Sequence, residues 1–167
     1  KRAENLSKYF LEFKRIADNI LLKDLLRNIF NEQAFLFKEK LNFKYPGGTG
    51  FKMHIDGHFD WKDKDNNKRK GWKEYGKYFI NVVIPLESSN KKNGCLYVCE
   101  KKETFENLGN SWEDIRSKLD VNGPYLNESD ENKFKKIYIQ QKPGDLLIFD
   151  WMCIHGSETN NTDNYSA

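Results

Sequence analysis

At 167 residues the chain has the length of one domain and can build a real hydrophobic core. Its 28 basic and 25 acidic side chains nearly cancel to +3, which argues against nucleic-acid binding, and no apolar run has membrane length. Cys95, Cys99 and Cys153 have neither disulfide nor zinc spacing, so the expectation is reduced thiols in a cytoplasmic protein.

In chain order, Leu6, Phe10, Phe13, Ala17 and Ile20 repeat at helical spacing and predict an amphipathic helix packed on a core. A second short helix is expected through Leu25, Leu26, Ile29 and Phe30. From Ala34 the period changes. Phe35 and Phe37, then Leu41, Phe43 and Tyr45, alternate as strands do and stop at Pro46-Gly47-Gly48. Residues 51–56 read as a strand, residues 57–77 as a polar loop of mixed charge, and Tyr78 to Leu86 as a strand buried on both faces.

Asn93-Gly94 marks a turn into a strand over Cys95 to Val98. Ser111 to Asp114 has the form of a capping box, opening a helix with Trp112, Ile115 and Leu119 on one side. Residues 120–135 read as an exposed insertion. Strands resume at Ile137-Tyr138-Ile139 and, after the Pro143-Gly144 turn, over Leu146 to Phe149. The expectation is a single catalytic domain over 1–167. It has a helical part, 1–33, and a β core, 34–167, interrupted by loop insertions at 57–77 and 100–135. The class is mainly β with flanking helices.

Two segments far apart carry the chemistry. In Phe51-Lys52-Met53-His54-Ile55-Asp56 the apolar and polar positions alternate, so His54 and Asp56 leave an extended chain on one face. His155 arrives from a different strand after Trp151-Met152-Cys153-Ile154. Two imidazoles and one carboxylate suit Fe(II) and leave coordination positions open. His58 falls off this register once Gly57 ends the strand and reads as a loop histidine or a substrate contact. Cys153 alternates onto the side of His155 and reads as a small core residue. Asn81 is the polar interruption of an apolar run; an amide buried there without a partner costs about 1–3 kcal/mol, so it bonds either a co-substrate or a neighbouring side chain.

Asn42-Phe43-Lys44-Tyr45-Pro46, His54-Ile55-Asp56, Asn93-Gly94-Cys95-Leu96, Pro143-Gly144-Asp145 with the apolar run to Asp150, and His155-Gly156-Ser157 occur in an order that resembles the phytanoyl-CoA dioxygenase family. H-x-D alone is weak; the combination is strong. The resemblance implies a double-stranded β-helix, a jelly-roll or cupin-like barrel with the N-terminal helices outside. It implies a non-haem dioxygenase in which Fe(II) is held by His54, Asp56 and His155, with 2-oxoglutarate and O2 as co-substrates. Oxidative decarboxylation is then coupled to hydroxylation of a small-molecule substrate. A carboxylate at Asp56 fits hydroxylation and not halogenation.

Ser157 matches a family serine that bonds the far carboxylate of 2-oxoglutarate, and Lys44 a family lysine ahead of proline. Lys44 reads equally as a co-substrate contact or a surface lysine, and Asn81 joins them as a candidate. The basic stretch Lys62 to Lys77 corresponds to a region over the family's active-site mouth and reads first as a solvated loop. The family's anchoring arginine, which follows the distal histidine and grips the carboxylate in a bidentate pair, has no counterpart, because no arginine follows Arg116. The expectation is that the C-terminal end of the family domain lies beyond Ala167. The alternative is a non-catalytic or altered cupin-like metal-binding barrel lacking 2-oxoglutarate binding. A true cupin is disfavoured, since H-x-H with a nearby glutamate is missing. Nothing in the sequence selects among thioester, amino-acid, phosphonate or natural-product substrates, or specifies an oligomeric state.

Overall fold

The computed structural model describes residues 2–121 and 123–166; Lys1, Asn122 and Ala167, two of them the ends of the expected domain, lie outside. The chain divides into two compact units, one running to Phe43 and the other Lys44–Ser166.

In the first unit, β1 (Arg2–Glu4) pairs antiparallel with β2 (Lys40–Asn42), Ala3 opposite Leu41. Between them lie α1 (Leu6–Tyr9), α2 (Leu11–Ala17) and α3 (Ile20–Phe30). The single amphipathic helix expected here is broken twice. Phe10 is extended, at φ −125 and ψ 123, and separates α1 from α2. Asn19 ends the second break by accepting the N–H groups of Leu21 and Leu22, which fixes the start of α3 at Ile20. The regular spacing is thus divided among three short helices and buries no continuous stripe. Phe10 is 52% and Ile20 63% exposed, and no side chain of α2 or α3 is buried. Phe35 and Phe37 form no strand. Alternation becomes a strand only where a partner takes its hydrogen bonds, and the partner β1 is three residues long.

The second unit holds mainly short strands in small antiparallel sheets, with helices between them. In order they are β3 (Asp60–Lys62), β4 (Lys68–Lys70), a 3-10 turn (Gly71–Glu74), β5 (Ile80–Val83), β6 (Leu96–Val98), α4 (Lys101–Leu108), α5 (Trp112–Ser117), α6 (Glu128–Glu131), β7 (Ile137–Tyr138), β8 (Leu147–Asp150) and β9 (His155–Ser157). β3 pairs with β4, β5 with β8, and β6 lies between β7 and β9, so that Tyr97 opposes both Tyr138 and Gly156. The core gathers Met53, Ile55, Tyr97, Ile115, Leu126 and Ile154.

The turn at Asn93-Gly94, the β6 strand and the Ser111 capping box are where the sequence placed them; the Ser111 side chain accepts from Asp114 N–H at 3.0 Å. Three expectations are corrected. Residues 57–77 contain the β3–β4 hairpin. Its turn is closed by the Asp63 carboxylate, which accepts from the N–H groups of Asp65 at 3.0 Å and Asn67 at 2.9 Å and from Arg69 Nε at 2.9 Å. β5 is half-buried along its whole length and not buried on both faces, having only β8 as a partner among the described residues. Residues 120–135 are no exposed insertion, because Leu126 and Phe134 are 3% and 7% exposed and complete the core. No helix among the described residues is long and apolar enough to cross a membrane.

Candidate metal centre

Residues 51–56 do not form the regular strand expected. The chain bends at Met53, and His54 alone pairs, with His155 on one side and Tyr125 on the other. The burial pattern behind the expectation nonetheless holds: Met53 and Ile55 are 2% and 0% exposed, pinning His54 between two core anchors. His54 and His155 exchange backbone hydrogen bonds of 3.0 and 3.1 Å. Towards Tyr125 the bonds flank the pair, Leu126 N–H to Met53 O at 2.8 Å and Ile55 N–H to Pro124 O at 3.1 Å, which makes it the narrow kind of antiparallel pair.

Asp56 sits in a turn closed by His58 N–H on Ile55 O at 3.4 Å, with Gly57 after it at φ +69. A left-handed residue is required there, and a Cβ would lie 2.3 Å from Cγ of Trp72. His155 opens β9 opposite Val98. The next residue, Gly156, is equally confined, since a Cβ would lie 2.3 Å from the Tyr97 hydroxyl and 2.6 Å from Phe51 O.

These local constraints bring His54, Asp56 and His155 together, with one donor atom of each within 4.8 Å of the others. His54 Nε2 is 3.8 Å from Asp56 Oδ1, and His155 Nε2 is 3.4 Å from Asp56 Oδ2. Each Nδ1 faces a carbonyl, Lys52 O at 2.8 Å and Cys153 O at 3.0 Å. A carbonyl only accepts, so Nδ1 carries the proton and both Nε2 lone pairs point to the carboxylate side.

A row of rings crosses the centre. Tyr125 lies 5.8 Å from His54, His54 4.2 Å from His155, and His155 4.9 Å from Phe149, centroid to centroid. Asn81 opposes Phe149 across β5 and β8, so their side chains share a face. The Asn81 amide nitrogen is buried and has no hydrogen-bond partner among the described residues. Neither Tyr125 nor Phe149 is marked by sequence pattern as a neighbour of the histidines.

Lys44 and Ser157 are also brought together. The Lys44 ammonium donates to Ser157 Oγ at 2.9 Å, Gly94 O at 2.7 Å and Glu158 O at 2.6 Å, and Phe51 N–H donates to Ser157 Oγ at 3.1 Å. Burial pulls the Lys44 pKa below its ordinary value, opposed by Cys95 and Glu158. His58 stays outside the cluster. It is 1% exposed, stacked on Trp112 at 3.8 Å, and bonded through Nε2 to Trp112 O at 3.2 Å. Burial pushes its pKa down to about 4 against the Trp112 carbonyl, which leaves the imidazole neutral at neutral pH. Cys95, Cys99 and Cys153 are free thiols, and burial raises Cys99 to about 12. In the Lys62 to Lys77 stretch, Arg69 pairs with Asp63 at 2.8 Å and Lys70 with Glu113 at 2.6 Å.

Residues 1–166 match the family profile described as Phytanoyl-CoA dioxygenase (PhyH). The 2-aminoethylphosphonate dioxygenase of an uncultured bacterium, HF130_AEPn_1, is 30% identical over 168 residues, covering 97% of this chain and 54% of its own length. The methylphosphonate hydroxylase of Gimesia maris is 26% identical over 162 residues, 96% of this chain and 53% of its own length. The chain thus spans about half the length of these curated relatives. Among solved structures, EctD from S. alaskensis with 2-oxoglutarate and 5-hydroxyectoine superposes at TM-score 0.67 and 16% identity, covering 99% of this chain and 52% of that one. AviO1 from Streptomyces viridochromogenes Tue57 does so at 0.64 and 15%, with 99% and 62% covered. The fold is shared with both.

Proposed function

The chain belongs to the phytanoyl-CoA dioxygenase family, and on that premise we propose that it carries the metal centre of a non-haem Fe(II)/2-oxoglutarate-dependent dioxygenase acting on a small molecule. The fold in this reading is the double-stranded β-helix of that family. The observation that carries it is the convergence of His54, Asp56 and His155, with both Nδ1 protons fixed by backbone carbonyls.

The donor set fits iron. Bonds of about 2 Å from a common ion leave donors roughly 3–4 Å apart, and two imidazoles with one carboxylate are the ligands of Fe(II) oxygenases. Iron held there supplies the chemistry by which 2-oxoglutarate, O2 and a substrate C–H become succinate, CO2 and an alcohol. The chain's own residues hold and orient. The Lys52 and Cys153 carbonyls keep the two imidazoles in the ligating tautomer. Ser157, whose oxygen accepts from Lys44 and from Phe51 N–H, keeps its hydroxyl proton for the far carboxylate of 2-oxoglutarate; the Lys44 ammonium, with its three N–H groups on Ser157, Gly94 and Glu158, adds its charge beside it, and Asn81 offers an amide N–H at the Phe149 end of the ring row. The two phosphonate-oxidising relatives make a small phosphonate the substrate class to test.

The experiment is anaerobic addition of 2-oxoglutarate to the full-length Fe(II) protein. A weak visible charge-transfer band is expected, and His54→Ala and Asp56→Ala should each abolish it while far-UV circular dichroism stays unchanged. A band that persists in either variant removes these residues from the site.

A further inference from the structure

We propose that Tyr125 is a substrate-recognition residue of this centre. Its ring walls the reaction chamber beside His54, and its hydroxyl donates a hydrogen bond to an oxygen of the substrate phosphonate. The proposal rests on the reading of His54, Asp56 and His155 as the metal site and adds a residue from a segment whose sequence pattern carries no motif.

Directly opposed residues of an antiparallel pair present their side chains on the same face, and in the narrow kind of pair those side chains approach most closely. His54 opposes both His155 and Tyr125, so the phenol stands on the face that carries the two imidazoles, 5.8 Å from the nearer one. The neighbouring Leu126 is 3% exposed and anchored in the core, whereas Tyr125 is 40% exposed. The ring is therefore held firmly at its base and open at its edge. A tyrosine so placed offers an apolar wall and a polar tip to a ligand.

The segment that carries Tyr125 is fixed from behind. Arg116, on α5, donates through its guanidinium to Asp120 O at 2.8 Å, Val121 O at 3.1 Å and Gly123 O at 3.4 Å, and its Nε lies 3.5 Å from Asp60 Oδ2. Pro124 O then receives Ile55 N–H, joining this segment to the Asp56 turn. Arg116 is a positioning residue. Its two terminal nitrogens donate to carbonyls of this segment and its Nε faces the Asp60 carboxylate, so it acts on the substrate through where it puts Tyr125.

The test uses the full-length Fe(II) protein, with 2-aminoethylphosphonate and methylphosphonate as probes. Tyr125→Phe should raise the KM of the phosphonate that is turned over by about 10- to 100-fold with a smaller effect on kcat, as expected for a lost hydrogen bond to a charged group. Tyr125→Ala should also release succinate in excess of hydroxylated product. The 2-oxoglutarate charge-transfer band should titrate as in the parent protein in both variants. Arg116→Ala should reproduce the rise in KM, and Arg116→Lys should restore it in part. A KM within about twofold of the parent in Tyr125→Phe overturns the proposal, and an unchanged KM in Arg116→Ala overturns the positioning role. If the band forms but neither phosphonate is turned over, the proposed ligand class is wrong and the metal reading stands. If no band forms in the parent protein, the metal reading itself fails.

Discussion

Gly57 and its neighbour Asp56 show how a single backbone angle places a ligand. With φ at +69 and Trp72 Cγ 2.3 Å from where a Cβ would be, Gly57→Ala forces either the turn or the indole to move. The expected cost is about 1–3 kcal/mol in urea unfolding, and the displaced carboxylate should weaken metal affinity in a direct titration. At this scale the sequence was most legible where alternation and chemistry coincided. Met53 and Ile55 point inward, and His54 and Asp56 follow from them even though no regular strand forms. Tyr125 was illegible for the opposite reason: its place is set by pairing with a residue distant in sequence, which no local pattern records.

Among the elements, the β3–β4 hairpin depends on one carboxylate. Asp63 accepts from Asn67 N–H foremost, with Arg69 and Asp65 adding to it, and these bonds hold its pKa below the ordinary carboxylate value despite some burial. A depressed acidic pKa means that the ionised form is favoured on folding. The stabilisation is complete above the unfolded carboxylate value of about 4 and is lost as pH falls through the lower folded value. The protection factors of the Asp65 and Asn67 amides, their exchange rates relative to the unstructured chain at the same pH, should therefore fall on acidification below about pH 4. Asp63→Asn should show faster exchange already at neutral pH and a smaller change with acid. The hairpin escaped the sequence reading because Lys68-Arg69-Lys70 has no apolar alternation, its pairing resting on charge and on the turn. The N-terminal stripe misled in the converse way: the spacing was helical, but the extended Phe10 and the Asn19 cap divide it into separate short helices, of which α2 and α3 bury no side chain.

For the whole chain, the most consequential contact joins residues from two distant stretches, 54–56 and 155. A metal bound only by the folded chain stabilises it by mass action, about 2.7 kcal/mol at a free concentration one hundred times Kd. Chelation should lower the melting temperature measured by calorimetry, Fe(II) should restore it, and His54→Ala should melt at the same temperature with or without metal. The strands that follow the Asn93-Gly94 and Pro143-Gly144 turns were legible along the chain. Which strand lies beside which was not. That β5 joins β8, and that β6 lies between β7 and β9, is decided by packing across long loops and leaves no periodic trace.

The confinement of Gly156 has a practical side for engineering. Anyone randomising the surroundings of the centre to obtain new substrates can vary Tyr125 and Phe149, whose rings flank the two imidazoles from opposite ends of the row. Codon 156 is another matter: with the Tyr97 hydroxyl and the Phe51 carbonyl already filling the space, every one of the nineteen residues other than glycine would force one of them to shift, next to His155, before any selection for turnover began.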